Sequence, residues 1–288
     1  MNNFVTRTIS GVIFLSLMIG GLLWCKYSYA LLMIVITVWM MTEFFRMTMN
    51  NSYRISRFLS CVTAVTLFGL IFMMKAFTAM QFHYNLIVLA FIPVFIVMIC
   101  SLYTKDKSEF GKFSNIYTAI LYIAVPMTMT LFAVFHGGRD EYDPKLLISL
   151  FCLIWGSDVG AYLFGLGLHK WIPWKLFESV SPKKTWIGAL GGMVFSVGLA
   201  LGLHHYGMLN IFDSPQIAYK HMHIVFFGVV INVAAVYGDL LESQWKRYYN
   251  IKDSGNAIPG HGGLLDRFDS SLMAIPAAIV YLMGLNLL

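Results

Sequence analysis

SQWKRYYNIKDSGNAIPGHGGLLDRFD, residues 243–269, is a dense polar stretch in a chain that is otherwise built for an apolar environment. It holds Lys246, Arg247, Lys252, Asp253, Asp266, Arg267 and Asp269, together with His261 and four glycines. Charge is expensive beside a bilayer, so a mixed-charge segment between apolar spans needs a chemical reason. Its composition suits a metal and polyphosphate site: carboxylates for a hard cation, cations and bare backbone for phosphate oxygens.

Working outward, 58% of the 288 residues are hydrophobic and only 12% are charged. A soluble domain carries about 25% charged residues. With a mean hydropathy of +0.71, the chain reads as an all-α, polytopic integral membrane protein. The first apolar run, 9–24, lacks a small-residue cleavage site and reads as a retained span. Cys25, Cys61, Cys100 and Cys152 are scattered, without C-x-x-C spacing, and read as small buried hydrophobes.

At about 20 apolar residues per crossing, nine spans are predicted: 5–24, 28–49, 58–80, 83–103, 114–135, 146–168, 187–208, 222–242 and 268–287. A tight turn at 81–85 must separate the third from the fourth. With the N-terminus in the cytoplasm, 15 of the 20 Lys and Arg fall on the cytoplasmic side and four outside, with Lys75 inside a span. That asymmetry selects nine crossings with the C-terminus outside. It also places loops 169–186 and 243–267 in the cytoplasm, where soluble nucleotides are. Residues 1–145 read as anchoring helices with a possible dimerisation role, and 146–288 as a catalytic half.

Asp158 lies within the sixth span and Asp239 at the end of the eighth. Carboxylates at membrane depth face a polar cavity and a partner, or cap a broken helix. If the eighth helix continues, Glu242, Ser243, Lys246 and Arg247 share a stripe with Asp239. Asp266 and Asp269 are three apart at the start of the ninth. Two helix ends bearing carboxylates can hold Mg²⁺ from opposite sides, since Mg²⁺ keeps one or two carboxylates and takes its remaining ligands from water and phosphate. The bland reading of Asp266 and Asp269 alone is helix N-terminal charge.

Between those helices, Gly260, Gly262 and Gly263 let backbone approach a ligand closely, and a loop before a helix start can aim N–H groups at phosphate. His261 there has three open roles: phosphate ligand, acid/base group or loop strut. Lys183, Lys184 and Thr185, followed by a Gly-rich helix start, suit either phosphate binding or a topology signal at an anionic surface.

Taken together, these motifs resemble the phosphatidate cytidylyltransferase (CDP-diacylglycerol synthase) family. The family pattern is met by Ser243, Lys246-Arg247, Lys252-Asp253, Gly255, Ile258-Pro259, His261-Gly262-Gly263, Asp266-Arg267 and Asp269. Asp158-Val-Gly-Ala-Tyr162 and Ser181-Pro-Lys-Lys-Thr-Trp-Ile-Gly188 match its upstream elements. Trp245 departs from an aliphatic position, and Ile187 stands where many members have Glu. The match covers about 155 to the C-terminus.

The resemblance implies transfer of CMP from CTP to phosphatidic acid, giving CDP-diacylglycerol and pyrophosphate. It further implies dependence on Mg²⁺ with room for a second cation, a homodimer in the cytoplasmic membrane among membrane lipids, and no nucleic-acid partner. On that footing Asp239, Asp266 and Asp269 are metal ligands. Lys246, Arg247, Lys252 and Arg267 serve the triphosphate and the lipid phosphate, with His261 beside them. Ser243, Gly262, Gly263, Lys183, Lys184, Thr185 and Asp158 complete the substrate cleft. The competing readings are a CTP-transferase or kinase acting on another membrane lipid, and an ion-coupled transporter. The transporter is disfavoured because no repeat is evident and the charge gathers on one face.

Overall fold

The computed structural model describes residues 3–49, 52–77, 83–104, 107–136, 141–168, 174–260 and 262–288. Among them are eight helices, or runs of helical turns, long and apolar enough to cross a membrane. The protein is therefore an all-α, multi-pass membrane protein. Its helices are α1 (Asn3–Trp24), α2 (Lys26–Met49), α3 (Arg54–Ala76), α4 (Ile92–Leu102), α5 (Ser114–Ala119), α6 (Val125–Val134), α7 (Lys145–Leu168), α8 (Trp186–His205), α9 (Lys220–Tyr248), α10 (Leu265–Phe268) and α11 (Ser271–Gly284). Eight 3-10 residues, Tyr84–Phe91, lead into α4, where Pro93 takes a first-turn position that needs no N–H. A π-turn, Ile120–Ala124, joins α5 to α6.

Three features differ from the sequence expectation. The ninth predicted span, 268–287, is interrupted: Asp269 and Ser270 separate α10 from a 14-residue α11. Fourteen residues rise about 21 Å, short of the ~30 Å hydrocarbon core. The eighth helix runs six residues past its predicted end, to Tyr248, and Asn250 follows with a left-handed φ of 55°, a conformation Asn tolerates at a helix end. The lysine-bearing loop contains an antiparallel hairpin, β1 (Lys175–Phe177) and β2 (Ser181–Thr185). The predicted turn at 81–85 lies partly outside the described residues.

The chain forms two compact units. The first comprises Met1–Leu131, Gly137–Tyr142 and Tyr249–Arg267. Its core is α2, where Tyr29, Met33, Met40, Met41 and Phe44 are fully buried. The Tyr29 hydroxyl hydrogen-bonds Thr130 at 2.6 Å, and Tyr142 donates to the Leu22 carbonyl at 2.6 Å. Among its described large apolar side chains α1 buries only Met18 and Leu22, leaves Phe14 half-buried and exposes the rest, as a lipid-facing helix does. The loop after α9 belongs to this unit, so the N-terminal helices support a polar segment that lies more than 200 positions later.

The second unit comprises Phe132–His136, Asp143–Tyr248 and Phe268–Leu288. Here α7, α8 and α9 pack on small residues, the usual way helices approach where no hydrophobic drive exists between them. A Cβ at Gly192 would sit 2.8 Å from the Ser157 carbonyl oxygen and 2.7 Å from Asn232 Oδ1. Polar groups stitch the same seam: Ser157 donates to Asn232 at 2.6 Å, Asn232 donates to the Ala189 carbonyl at 3.3 Å, and Ser196 donates to the Gly228 carbonyl at 2.9 Å.

Candidate active site

The continuous α9 puts Asp239, Glu242, Ser243 and Lys246 on one stripe, as the spacing predicts. The Lys184 ammonium, carried by β2, meets Asp239 Oδ2 at 2.6 Å and the Val236 carbonyl at 3.4 Å. Ser243 donates to Asp239 Oδ1 at 3.1 Å. Both oxygens of Asp239 are thus held, one by a cation from the hairpin and one by a hydroxyl a turn further along its own helix.

These groups border a cleft of about 510 Å³ in the second unit, lined by Asp158, Lys183, Lys184, Thr185 and Asp239 among others. Five of the sequence-predicted site residues therefore share one cavity. Thr185 has a second duty, since its Oγ1 accepts the Gly188 N–H at 3.2 Å and caps α8.

Asp269 sits at the break between α10 and α11, with its Oδ1 accepting the Ser270 N–H at 2.6 Å. Gly238 brings it close: a Cβ there would lie 2.6 Å from the Asp269 carbonyl oxygen. The neighbouring charges that act on Asp269 are Asp239, Asp158 and Lys246. Lys246, expected to face phosphate, is buried against Glu242 at 2.6 Å. Arg247 is exposed, and its Nε donates to the Val180 carbonyl in the hairpin turn at 3.4 Å.

Asp266 lies in the first unit. Its Oδ2 accepts from the Ser254 N–H at 2.9 Å, the Ser254 hydroxyl at 3.0 Å and the Gly263 N–H at 2.8 Å. The Gly263 donor expected to face phosphate is therefore turned toward Asp266. Gly262, at φ 88°, packs against the same carboxylate: a Cβ would stand 2.9 Å from its Oδ2. Lys252, Gly262 and Arg267 line a separate cavity of about 620 Å³. His261 lies outside the described residues.

One residue of this site escaped the sequence reading. Glu43 of α2 is 1% exposed, and its Oε2 accepts from the Leu265 N–H at 2.9 Å and the Ser254 hydroxyl at 3.4 Å. Its Oε1 accepts from Trp39 at 3.2 Å. The loop that carries Asp266 is thus fastened to a buried carboxylate in the second helix. The signal was present, because Glu43 is the only acidic residue within the second predicted span, and an ionisable group there marks a functional site by default.

Among the described residues, no group of three or more His, Cys, Asp or Glu side chains is arranged to hold a metal ion by itself. Asp239 and Asp269 on adjoining helix segments do fit Mg²⁺, which takes one or two carboxylates and completes its shell with water and phosphate.

The model of the cytidylyltransferase family matches residues 5–285. The chain is 29% identical over 276 residues to the phosphatidate cytidylyltransferase of Staphylococcus saprophyticus, covering 94% of this chain and 95% of that protein. It is 35% identical over 189 residues to the enzyme of the same name from Bacillus subtilis, covering 64% and 65%, and 29% identical over 279 residues to that from Staphylococcus epidermidis, covering 94% and 95%. With nearly its whole length matched, and with the polar clusters where the family pattern falls, the chain belongs to the cytidylyltransferase family.

Proposed function

We propose that the protein transfers a cytidylyl group from CTP to phosphatidate, releasing pyrophosphate and leaving CDP-diacylglycerol in the membrane. The observation that carries this reading is the Lys184–Asp239–Ser243 cluster on a cleft, with Asp269 alongside. The names of its relatives point to the same acceptor.

The phosphomonoester oxygen of the lipid attacks the α-phosphorus of CTP. A new P–O bond forms as the bond to the bridging oxygen of the β-phosphate breaks, and that electron pair leaves with pyrophosphate. Such transfers need positioning and charge neutralisation more than a strong base. Asp239, Asp266 and Asp269 are assigned to divalent metal; when bound, Mg²⁺ neutralises charge on the phosphate oxygens. Lys184 holds Asp239 in one rotamer, and Ser243 fixes the other oxygen. Lys183 and Asp158 line the same cleft and are assigned to the nucleotide. Lys246 is assigned to hold Glu242 and to bear electrostatically on Asp269. The same reading has the N-terminus and the polar loops in the cytoplasm, and a homodimer.

The test is purified protein in detergent with Mg²⁺, radiolabelled CTP and phosphatidate, scored by label entering a chloroform-soluble product. Transfer only to another lipid phosphate would change the acceptor and keep the chemistry. No transfer to any lipid phosphate would end the reading.

A further inference from the structure

The turn at 257–260 meets α1 in a way that gives the first helix more than an anchoring role. Ser10 donates to the Pro259 carbonyl at 2.9 Å. Gly260, at φ 77°, receives the Arg7 side chain so closely that a Cβ there would stand 2.9 Å from Arg7 Cγ. This contact divides two cavities that share Ile258 and Pro259 as a common wall.

One cavity is polar, about 620 Å³, with Arg7, Lys252, Arg267 and Asp253 among its walls. Among the described lining residues three cations stand with one carboxylate, and the Asp266 carboxylate lies behind Gly262. The other, about 320 Å³, is an apolar groove along one side of α1, with Ile9, Ile13, Phe14 and Leu17 in its lining. Ile13 and Leu17 are 54% and 63% exposed. The groove follows α1 from Thr6 to Leu17, a rise of about 16 Å. A basic pocket at the end of an apolar groove on a membrane-facing helix is complementary to an amphiphile with an anionic head and a hydrocarbon chain. A phosphate monoester carries about −1.5 to −2 at neutral pH, which suits a pocket with three cations in its wall. A phosphodiester headgroup carries a single negative charge and would draw less on the same three cations.

We propose that α1 and the 257–260 turn form a docking site for the lipid acceptor. The phosphate monoester lies among Arg7, Lys252 and Arg267, and one acyl chain lies along Ile9, Ile13 and Leu17. This deepens the cytidylyl-transfer reading and rests on it, because it takes the docked lipid to be the acceptor. It assigns Arg7 to lipid-phosphate recognition.

The experiment uses the full chain in detergent and a phosphatidate bearing a photoactivatable group in one acyl chain. Crosslinks are mapped by mass spectrometry, and turnover is measured in parallel. Crosslinks are expected within 6–17 and 257–259. Unlabelled phosphatidate should suppress them, whereas diacylglycerol, phosphatidylglycerol and inorganic phosphate should not. Arg7→Gln removes charge-assisted hydrogen bonds and should raise KM for phosphatidate roughly tenfold, with KM for CTP within about twofold. Ile13→Trp, at an exposed position, should obstruct the groove and reduce crosslinking without lowering thermal stability. Asp239→Asn should keep the crosslinks and lose turnover. Crosslinks that fall only elsewhere, suppression by inorganic phosphate as effective as by phosphatidate, or an unchanged phosphatidate KM in Arg7→Gln would each overturn the docking site while leaving the transfer reading intact. Specific crosslinks in a protein that transfers no cytidylyl group to phosphatidate would overturn the acceptor role.

Discussion

Glu43 Oε2 accepts a hydrogen bond from the backbone N–H of Leu265 at 2.9 Å, joining two residues 222 positions apart. The same oxygen takes the Ser254 hydroxyl, and Ser254 in turn donates to Asp266 through both its hydroxyl and its N–H. A carboxylate in the second helix therefore fixes the loop that presents Asp266, without itself being assigned to substrate.

Removing that acceptor leaves buried donors without a partner, at about 1–3 kcal/mol for each. Glu43→Ala is expected to lower the thermal midpoint in detergent and to expose the 252–267 loop to protease. Glu43→Gln keeps one oxygen acceptor and should fall between wild type and Ala in both measurements. If Ala and Gln behave alike and both match wild type, Glu43 does not hold the loop.

Asp239→Asn and Asp266→Asn are both expected to reduce kcat by more than about 100-fold, the scale of losing one focused electrostatic group, and extra Mg²⁺ should not restore it. The two should differ in stability. Asp266 organises its own loop through three hydrogen bonds to one oxygen, so its replacement should also lower the melting temperature. Near-normal turnover in both variants would sink the metal assignment.

Lys184→Met breaks a 2.6 Å pair with a half-buried carboxylate. It is expected to cost roughly tenfold in kcat, on the scale of a charged hydrogen bond, with partial recovery in Lys184→Arg. Steady-state kinetics on the three proteins check this. A loss confined to KM for phosphatidate would instead place Lys184 at the lipid.

Gly192→Ala tests the α7–α8–α9 seam. The added methyl would meet the Ser157 carbonyl and Asn232 at under 3 Å, and overpacking of this kind costs about 1–3 kcal/mol. Thermal unfolding in detergent should show the loss, while Gly198→Ala, which meets nothing within 4 Å, should not.

The loop between α8 and α9 carries a pH signature. Lys220 at 2.8 Å and His204 at 3.1 Å hydrogen-bond Asp213, and these bonds hold its carboxyl below the usual range. A depressed folded pKa means that the contribution is present above the unfolded value, near 3.9, and is lost as the pH falls through the lower folded one. The thermal midpoint of Asp213→Asn should therefore depend less steeply on pH below about 4 than that of wild type, read from melts across the acid range.

Much of this protein is written locally in its sequence. Twenty-residue apolar runs must become helices because lipid offers backbone groups no other partner. The i, i+4 spacing of Asp239 and Ser243 became a contact as soon as α9 continued past Gly238, and motif spacing alone identified the family. Local signals failed where the partner is distant or the pattern is short. The hairpin that delivers Lys184 to Asp239 has no alternating stretch to announce it. No glycine or proline marks the break at Asp269–Ser270. Glu43 went unread until packing set it against Leu265, and Arg7 was one more basic residue in a topology count until Gly260 received it. Hydropathy and spacing act over a few residues, so sequence by itself determined the helical, multi-pass class and the family. Pairings across 52 and 222 positions depend on which helix faces meet, and only the tertiary structure decided those.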